Sequence, residues 1–288
     1  MHLNRVKAFC YCILLLICFT NVISYSKADL ASVKYTGTGG FFPAENCPLI
    51  MTNANVIFEI DYNEPSNRID ISFEGNYTIY NPNESQNITV AAPFSSVFES
   101  LESTFKIKVN NSQKPFTFYD YHWSDPWAEY LDTIEFSSLH SFILTNISIG
   151  ENSSVRIDCS FDSYIIPSIN DDDITIMYNL GTSRTWNGTI TESVEFNTYG
   201  KLPSSCYIET FCPDNYSFTI TNFSDGRSYK WEWIDTRINT NAVFVSYYFP
   251  NNRSVRMSII FTIFSLYISI PIVIGIIIKI VKKKRKSE

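Results

Sequence analysis

Apolar and polar residues alternate with a period of two through most of the middle of the chain. The clearest alternating runs are 56–62, 69–73, 105–109, 155–161, 174–178, 190–196, 229–233 and 243–247. Because successive side chains of a strand point to opposite faces, each run predicts a β-strand with one buried face. Residues that favour turns separate the runs at 63–65, 81–83, 170–173 and 225–226. The pattern predicts an all-β fold, an antiparallel β-sandwich.

The alternation breaks in an aromatic segment at residues 118–127. This break predicts a boundary between an N-terminal β module, residues 29–125, and a second β-sandwich module, residues 126–250. No Gly/Ser-rich or Pro-rich linker separates the two, so one extended sandwich and two closely apposed sandwiches both stay open. Short helices are predicted only at 93–102 and 126–131.

A continuous apolar run without any charge occupies residues 257–278. As a helix rising about 1.5 Å per residue it would reach roughly 33 Å, enough to cross a hydrocarbon core of about 30 Å. A basic tail, residues 279–288, follows directly and is typical of the cytoplasmic side. The pattern predicts one transmembrane helix in the cell membrane, with the N-terminus outside and the C-terminus in the cytoplasm.

The first 28 residues have the pattern of an export signal. Arg5 and Lys7 precede an apolar run at residues 8–19, and small residues follow, with cleavage expected after Ser24 or Ala28. An uncleaved anchor that extends the apolar run is the alternative. In either case the middle of the chain is exported.

The predicted exported part is strongly acidic. Residues 29–256 contain 13 Lys and Arg against 28 Asp and Glu, a formal charge of −15. An acidic surface repels phosphate backbones, so nucleic acid is excluded as a partner.

Four cysteines follow the apolar leader, an even number that fits an oxidising compartment: Cys47, Cys159, Cys206 and Cys212. Cys206 and Cys212 are close enough in sequence for a local bond, which leaves Cys47 for Cys159 on the inward face of its strand. We therefore predict disulfides Cys206–Cys212 and Cys47–Cys159. A zinc site is the alternative, but the chain has no Cys-x-x-Cys pair, and neither His122 nor His140 is close to a cysteine in sequence. No metal or cofactor is predicted.

Ten Asn-x-Ser/Thr acceptors lie between the leader and the span, most of them near predicted turns. Asn252 is too close to the predicted span for modification. The other nine are predicted to carry glycans: Asn76, Asn83, Asn87, Asn110, Asn146, Asn152, Asn187, Asn215 and Asn222.

The aromatic segment offers a ligand site. Trp123 and Trp127 are able to stack on sugar rings while Asp125 binds hydroxyls, and the alternative is that both tryptophans pack in the core. The acidic run at 170–173 lacks the spacing of a calcium loop and predicts a solvated turn. No nucleophile or metalloprotease motif is present, although a pair of carboxylates for glycoside hydrolysis would leave no local signature.

Three segments, residues 76–82, 92–96 and 181–188, resemble segments of uncharacterised archaeal envelope proteins. Those proteins share the plan of a leader, a β-rich exported part, one span and a basic tail. The resemblance covers about half of the predicted exported part and implies no known activity, so it assigns no site residue.

Together these patterns predict a single-pass surface glycoprotein with no enzymatic activity. Its β-sandwich ectodomain would act by binding an extracellular protein or glycan, or as a structural component of the envelope. The alternative is an ecto-enzyme or a carbohydrate-binding protein that acts on surface glycans.

Overall fold

The computed structural model describes residues 33–43, 48–95, 98–120, 139–168, 172–210 and 215–249, and six residues near the C-terminus, 263–265, 267, 271 and 275. The strands are β1 (Val33–Gly39), β2 (Phe42–Pro43), β3 (Ile50–Asn63), β4 (Arg68–Asn81), β5 (Gln86–Ser95), β6 (Lys106–Val109), β7 (Ser112–Gln113), β8 (Thr117–Asp120), β9 (Leu139–Ile149), β10 (Ser153–Ile165), β11 (Asp173–Asn179), β12 (Ile190–Tyr199), β13 (Ser205–Thr210), β14 (Ser217–Phe223), β15 (Gly226–Thr236) and β16 (Thr240–Tyr248). One α-helix, α1 (Leu101–Thr104), and two 3₁₀ helices, Glu64–Ser66 and Gly181–Thr185, complete the described elements.

The all-β prediction is confirmed, and the alternating runs form the strands. In β10 the side chains at 155, 157, 159 and 161 are all buried, while those between them are exposed or half-buried. Cys159 therefore faces inward, as its pattern predicts. The turn residues at 63–65 end β3 with a 3₁₀ helix, in which the Asn63 side chain accepts a hydrogen bond from the Ser66 N–H.

The strands form two eight-stranded sheets. The first has the order β13-β16-β11-β1-β5-β9-β8, with β2 paired to β5. The second has the order β14-β15-β12-β3-β4-β10-β6-β7. Aromatic side chains from the two sheets meet in the core: the rings of Phe58 and Tyr178 lie 6.3 Å apart and those of Phe94 and Phe161 lie 5.5 Å apart, between centroids. The sheets thus pack face to face around one apolar interior.

The prediction that the sheets are purely antiparallel is wrong. Strands β3 and β12 pair in parallel, from Asn53 opposite Thr191 to Asp61 opposite Tyr199. Tight hairpins force an antiparallel arrangement, but β3 and β12 are joined by a long chain that visits both sheets. A period of two in the sequence records which face is buried and contains no information on strand direction.

The predicted helix at 93–102 is also wrong in extent. Residue Pro93 lies within β5, and the helix is limited to α1. Strand β5 pairs with β1 at Phe94 and with β2 at Ala91, so Pro93 occupies the irregular position where the partner changes. Sheets tolerate proline at such positions.

Strands on both sides of residue 125 pair within each sheet, including β8 with β9 and β4 with β10. The predicted boundary and the predicted helix at 126–131 lie outside the described residues. By internal contacts, residues 34–167 and 174–248 form one compact unit.

Residues 168–173 and 249 belong to the other unit. There the Phe249 N–H donates to the Asp172 carbonyl at 2.8 Å. The Asp172 side chain is buried, so this end of the acidic run differs from the solvated turn that was predicted.

The predicted leader, residues 1–28, lies outside the described residues. None of the helices formed by the described residues is both long enough and apolar enough to traverse a bilayer. Within the predicted span only 263–265, 267, 271 and 275 are described, and their backbone is helical.

Candidate functional site

The sequence-predicted ligand residues Trp123, Asp125 and Trp127 lie outside the described residues. The same holds for Cys47 and Cys212. Their predicted partners are described: Cys159 is buried and Cys206 is half-buried. The two disulfides stay predictions.

The nine predicted glycosylation sites are all described. Eight of these asparagines are exposed, and Asn76 is half-buried, with its side-chain oxygen accepting from the Arg156 guanidinium at 2.7 Å. Asn110 and Asn152 occupy turns with positive φ angles of 49° and 47°, a conformation that asparagine adopts more readily than most residues. The fold therefore leaves most acceptor amides facing water.

Two acceptor sites lie side by side on β5 and β9. The register places Asn87 opposite Ser148 and Thr89 opposite Asn146. Each asparagine oxygen accepts a hydrogen bond from the hydroxyl opposite: Ser148 donates to Asn87, and Thr89 donates to Asn146 at 2.7 Å. Since these bonds use only the oxygens, both amide nitrogens stay available for modification.

An open cleft of about 460 Å³ adjoins this pair of sites. Its lining residues are Thr89, Lys114, Pro115, Phe116, Thr117, Leu144, Thr145 and Asn146. The Thr145 hydroxyl donates to the Pro115 carbonyl at 2.9 Å and so fixes one wall. A lining that contains a cation, an aromatic residue and several hydroxyl or amide groups can bind a polar ligand with an apolar face, such as a sugar.

Three segments of the chain, residues 76–82, 92–96 and 181–188, meet at residues 38–41. The Trp186 indole N–H donates to the Phe41 carbonyl at 2.8 Å, and the Phe41 ring contacts the Tyr77 ring edge-on at 5.3 Å. The Thr38 hydroxyl donates to the Pro93 carbonyl at 3.0 Å. The segments thus share a structural corner that links the two sheets.

A carboxyl group is sealed in the core next to this corner. The Tyr178 hydroxyl donates to Glu192 Oε1 at 3.2 Å, and the Ser183 hydroxyl donates to Glu192 Oε2 at 2.6 Å. The Tyr77 hydroxyl lies 3.4 Å from that of Tyr178 and extends the network. Burial raises the pKa of Glu192 to about 7, although the two hydrogen bonds partly oppose this shift. Burial also raises the pKa of both tyrosines well above their ordinary values.

The backbone leaves no room around this network. A Cβ atom at Gly40 would lie 2.8 Å from the Tyr178 hydroxyl oxygen, so glycine is required there. Because Glu192 is fully buried, its carboxyl group cannot reach a substrate at the surface. Its pairing with two hydroxyls satisfies the polar atoms of the core, and its role is structural. The run 190–196 already placed Glu192 on the buried face, but nothing local identified its partners.

In contrast to the buried carboxyl group of Glu192, strand β14 at the edge of the second sheet exposes apolar side chains to solvent. Phe218 and Ile220 of this strand are 41% and 51% exposed, and Tyr216, directly before the strand, is 38% exposed. The Phe218 ring packs 4.9 Å from that of the buried Trp231, so the apolar interior continues out to this edge. Sequence analysis missed β14 because its apolar residues are few and its remaining residues are polar.

No family model matches the chain, and no curated protein shows significant similarity to it. Among solved structures, the fold is similar to that of a Legionella pneumophila protein with the provisional description "nutrient binding protein". The TM-score is 0.56 and the sequence identity 12%, and the match covers 74% of this chain and 71% of that chain. At this identity the likeness shows the β-sandwich fold alone.

Proposed function

We propose that this chain is a single-pass surface glycoprotein whose β-sandwich ectodomain acts by binding an extracellular partner. The observation that carries the proposal is the exposure of eight of the nine acceptor asparagines. An asparagine has to reach solvent to carry a glycan in the folded protein, and these eight meet that condition. The leader and span patterns of the sequence support the same topology.

The helical residues of the predicted span add support. Ile263 and Tyr267 are 60% and 80% exposed, which is costly for apolar side chains in water and favourable in lipid. Binding is favoured over catalysis because Glu192, the carboxyl group whose pKa is raised to about 7, is sealed from solvent.

Topology and modification are tested together on intact cells. Protease added outside should remove the ectodomain and leave a fragment that carries the basic tail, as detected by a C-terminal tag. Deglycosylation of the protein should lower its apparent mass by several glycan units. An ectodomain that resists protease on intact cells but not on lysed cells would refute the topology, and an unchanged mass would refute the glycoprotein assignment.

Carbohydrate binding is a second candidate function, favoured by the cleft beside Asn146. Lys114 is a cation in a markedly acidic ectodomain, and the aromatic residue Phe116 belongs to the same lining. A glycan on Asn146 itself would occupy the rim, so the test begins from the Asn146→Gln variant.

Full-length protein in detergent is applied to a glycan array, with Lys114→Ala to remove the cation. Lys108→Ala is the matched control, since Lys108 is an exposed lysine on β6 outside the cleft lining. Loss of signal with Lys114→Ala but not with Lys108→Ala would support binding in the cleft. Equal losses, or no signal with any glycan, would leave a protein partner as the ligand of the ectodomain.

A further inference from the structure

Within the described part of the chain the two sheets end in four edge strands, and three of these are protected against strand addition by a charge or by their short length. An edge strand presents unpaired N–H and C=O groups to any passing strand, and proteins protect such edges with charges or with very short strands. Strand β13 includes the exposed Glu209, β7 has only two residues and β8 has only four.

Strand β14 has none of these safeguards. Its seven residues, Ser217–Phe223, include no charge and no proline, and its burial pattern shows six exposed positions followed by one that is half-buried. It pairs with β15 on one side, from Ser217 opposite Glu232 to Phe223 opposite Gly226. At about 3.4 Å per residue, the unpaired side is roughly 24 Å long. Such an edge would ordinarily associate.

Two acceptor asparagines bracket this strand. Asn215 lies two residues before β14, and Asn222 is its penultimate residue; both are exposed. The Asn222 oxygen accepts from Arg227 Nε at 2.7 Å, which fixes the side chain and leaves its amide nitrogen outside that bond. Glycans are bulky and hydrophilic, so one at each end would obstruct the approach of a second strand to this edge.

We propose that glycans on Asn215 and Asn222 prevent β14 from pairing with β14 of a second copy of this chain. The proposal rests on the glycoprotein assignment made above. The sugars take the place of the charged residue, Glu209, that protects β13. Without them, the two sheets would join edge to edge into one continuous sheet.

A second copy fits this edge by register and charge. A two-fold axis through Ile220 pairs the strands antiparallel, with Phe218 opposite Asn222 and Ser217 opposite Phe223. The first charged residue reached, Asp225, then lies opposite the uncharged Asn215, so no like charges face each other across the ladder. Two ectodomains of formal charge −15 repel each other as wholes, so the attraction has to come from the uncharged ladder itself. A glycan on Asn222 stands directly opposite the incoming Phe218.

The test compares full-length proteins in detergent by analytical ultracentrifugation. The wild-type protein from a glycosylating host should sediment as a monomer, and the double variant Asn215→Gln, Asn222→Gln should double in mass. A second double variant, Ser217→Ala with Ser224→Ala, removes the same glycans while keeping both asparagines and should behave alike. The control Asn83→Gln, Asn187→Gln removes two glycans from exposed turns and should stay monomeric.

Two further substitutions locate the contact. In the glycan-free background, Ile220→Lys places a charge on the edge and should restore the monomer. Ile220→Cys should form a cross-linked peptide carrying position 220 from both chains, whereas Thr219→Cys should not, since Thr219 faces Thr221 across the two-fold axis.

The outcomes separate the two proposals. Glycopeptide mapping that finds no sugar at any acceptor refutes the glycoprotein assignment. Sugar at Asn215 and Asn222, together with glycan-free variants that stay monomeric, refutes the edge proposal alone. Association that Ile220→Lys does not reverse places the contact elsewhere and also refutes it.

Discussion

Two described regions of this molecule show opposite departures from the rule that polar groups face water and apolar groups face the core. At Glu192 an ionisable group is buried, and on β14 apolar side chains are exposed. The first departure is satisfied from within, because Tyr178 and Ser183 donate to both carboxyl oxygens. The second is not, because no strand pairs with the outer side of β14 in either described sheet. The buried group therefore belongs to the architecture, and the exposed strand requires something from outside.

The largest expected effect separates the core from the edge directly. Trp231 is buried and packs against Phe196 on one side and the exposed Phe218 on the other. Trp231→Ala should lower the free energy of unfolding by about 3–5 kcal/mol, since it opens a large cavity. Phe218→Ala should cost less than about 1 kcal/mol, because its ring is already partly in water. Urea unfolding of both variants checks this, and equal losses would mean that β14 belongs to the core.

The next effect concerns the pH dependence of the buried carboxyl group. Its pKa in the folded state is about 7, above the ordinary value of 4.5, so between these values the folded state binds more protons than the unfolded state. The contribution of Glu192 to stability is thus greatest below pH 4.5 and declines as the pH rises through 7, by on the order of 3 kcal/mol.

Glu192→Gln removes this titration while keeping a polar side chain of the same size. The variant should be more stable than the wild type at pH 8 and should lose less stability between pH 5 and pH 8. Unfolding in urea at a series of pH values measures both slopes. Parallel curves for the two proteins would contradict the assignment of the pH dependence to Glu192.

A smaller effect is expected from the tyrosine that holds this carboxyl group. Tyr178→Phe deletes the hydroxyl that donates to Glu192 Oε1 and leaves that oxygen buried without this donor. The free energy of unfolding should fall by about 1–3 kcal/mol. Tyr199→Phe is the control, since its hydroxyl donates to Glu59 on a partly exposed face, and it should cost less. Equal losses in the free energy of unfolding would show that the buried hydrogen bond contributes no more to stability than the partly exposed one.

The smallest effect is expected at the edge. Ile220→Lys should change the free energy of unfolding by no more than about 0.5 kcal/mol, because the side chain is half exposed and makes no ladder contact beyond β15. Thermal unfolding of the glycosylated protein measures this. A larger loss would indicate that Ile220 contributes to packing and would weaken the contrast between the two regions.

Local pattern predicted the strands better than their arrangement. The run 155–161 identified β10 and the inward face of Cys159, because burial imposes the period of two directly on the sequence. Strand β5 was missed, since its later residues are buried on both faces and show no alternation. The parallel pairing of β3 with β12 depends on contacts between distant residues and leaves no local signal.

The same limit applies to the candidate sites. The run 190–196 already shows an acidic residue on an inward face, but Tyr178 lies 14 residues from Glu192 and belongs to the other sheet. The acceptor asparagines are readable from sequence alone. The cross-strand pairing of Asn87 and Asn146, and the position of Asn215 and Asn222 around an edge strand, require the register.

The parallel pair β3–β12 has a consequence for how the chain is made. Ser193 of β12 donates to Asn55 of β3 from 138 residues further along the sequence. At about 5–20 residues per second, a ribosome needs on the order of ten seconds to synthesise the missing neighbour. During this interval the nascent β3–β4 hairpin has one long unpaired side, and its closure depends on a high-contact-order step that is intrinsically slow. During synthesis the chain therefore exposes an unpaired strand edge that is prone to aggregation, and this edge is covered once β12 has paired with β3.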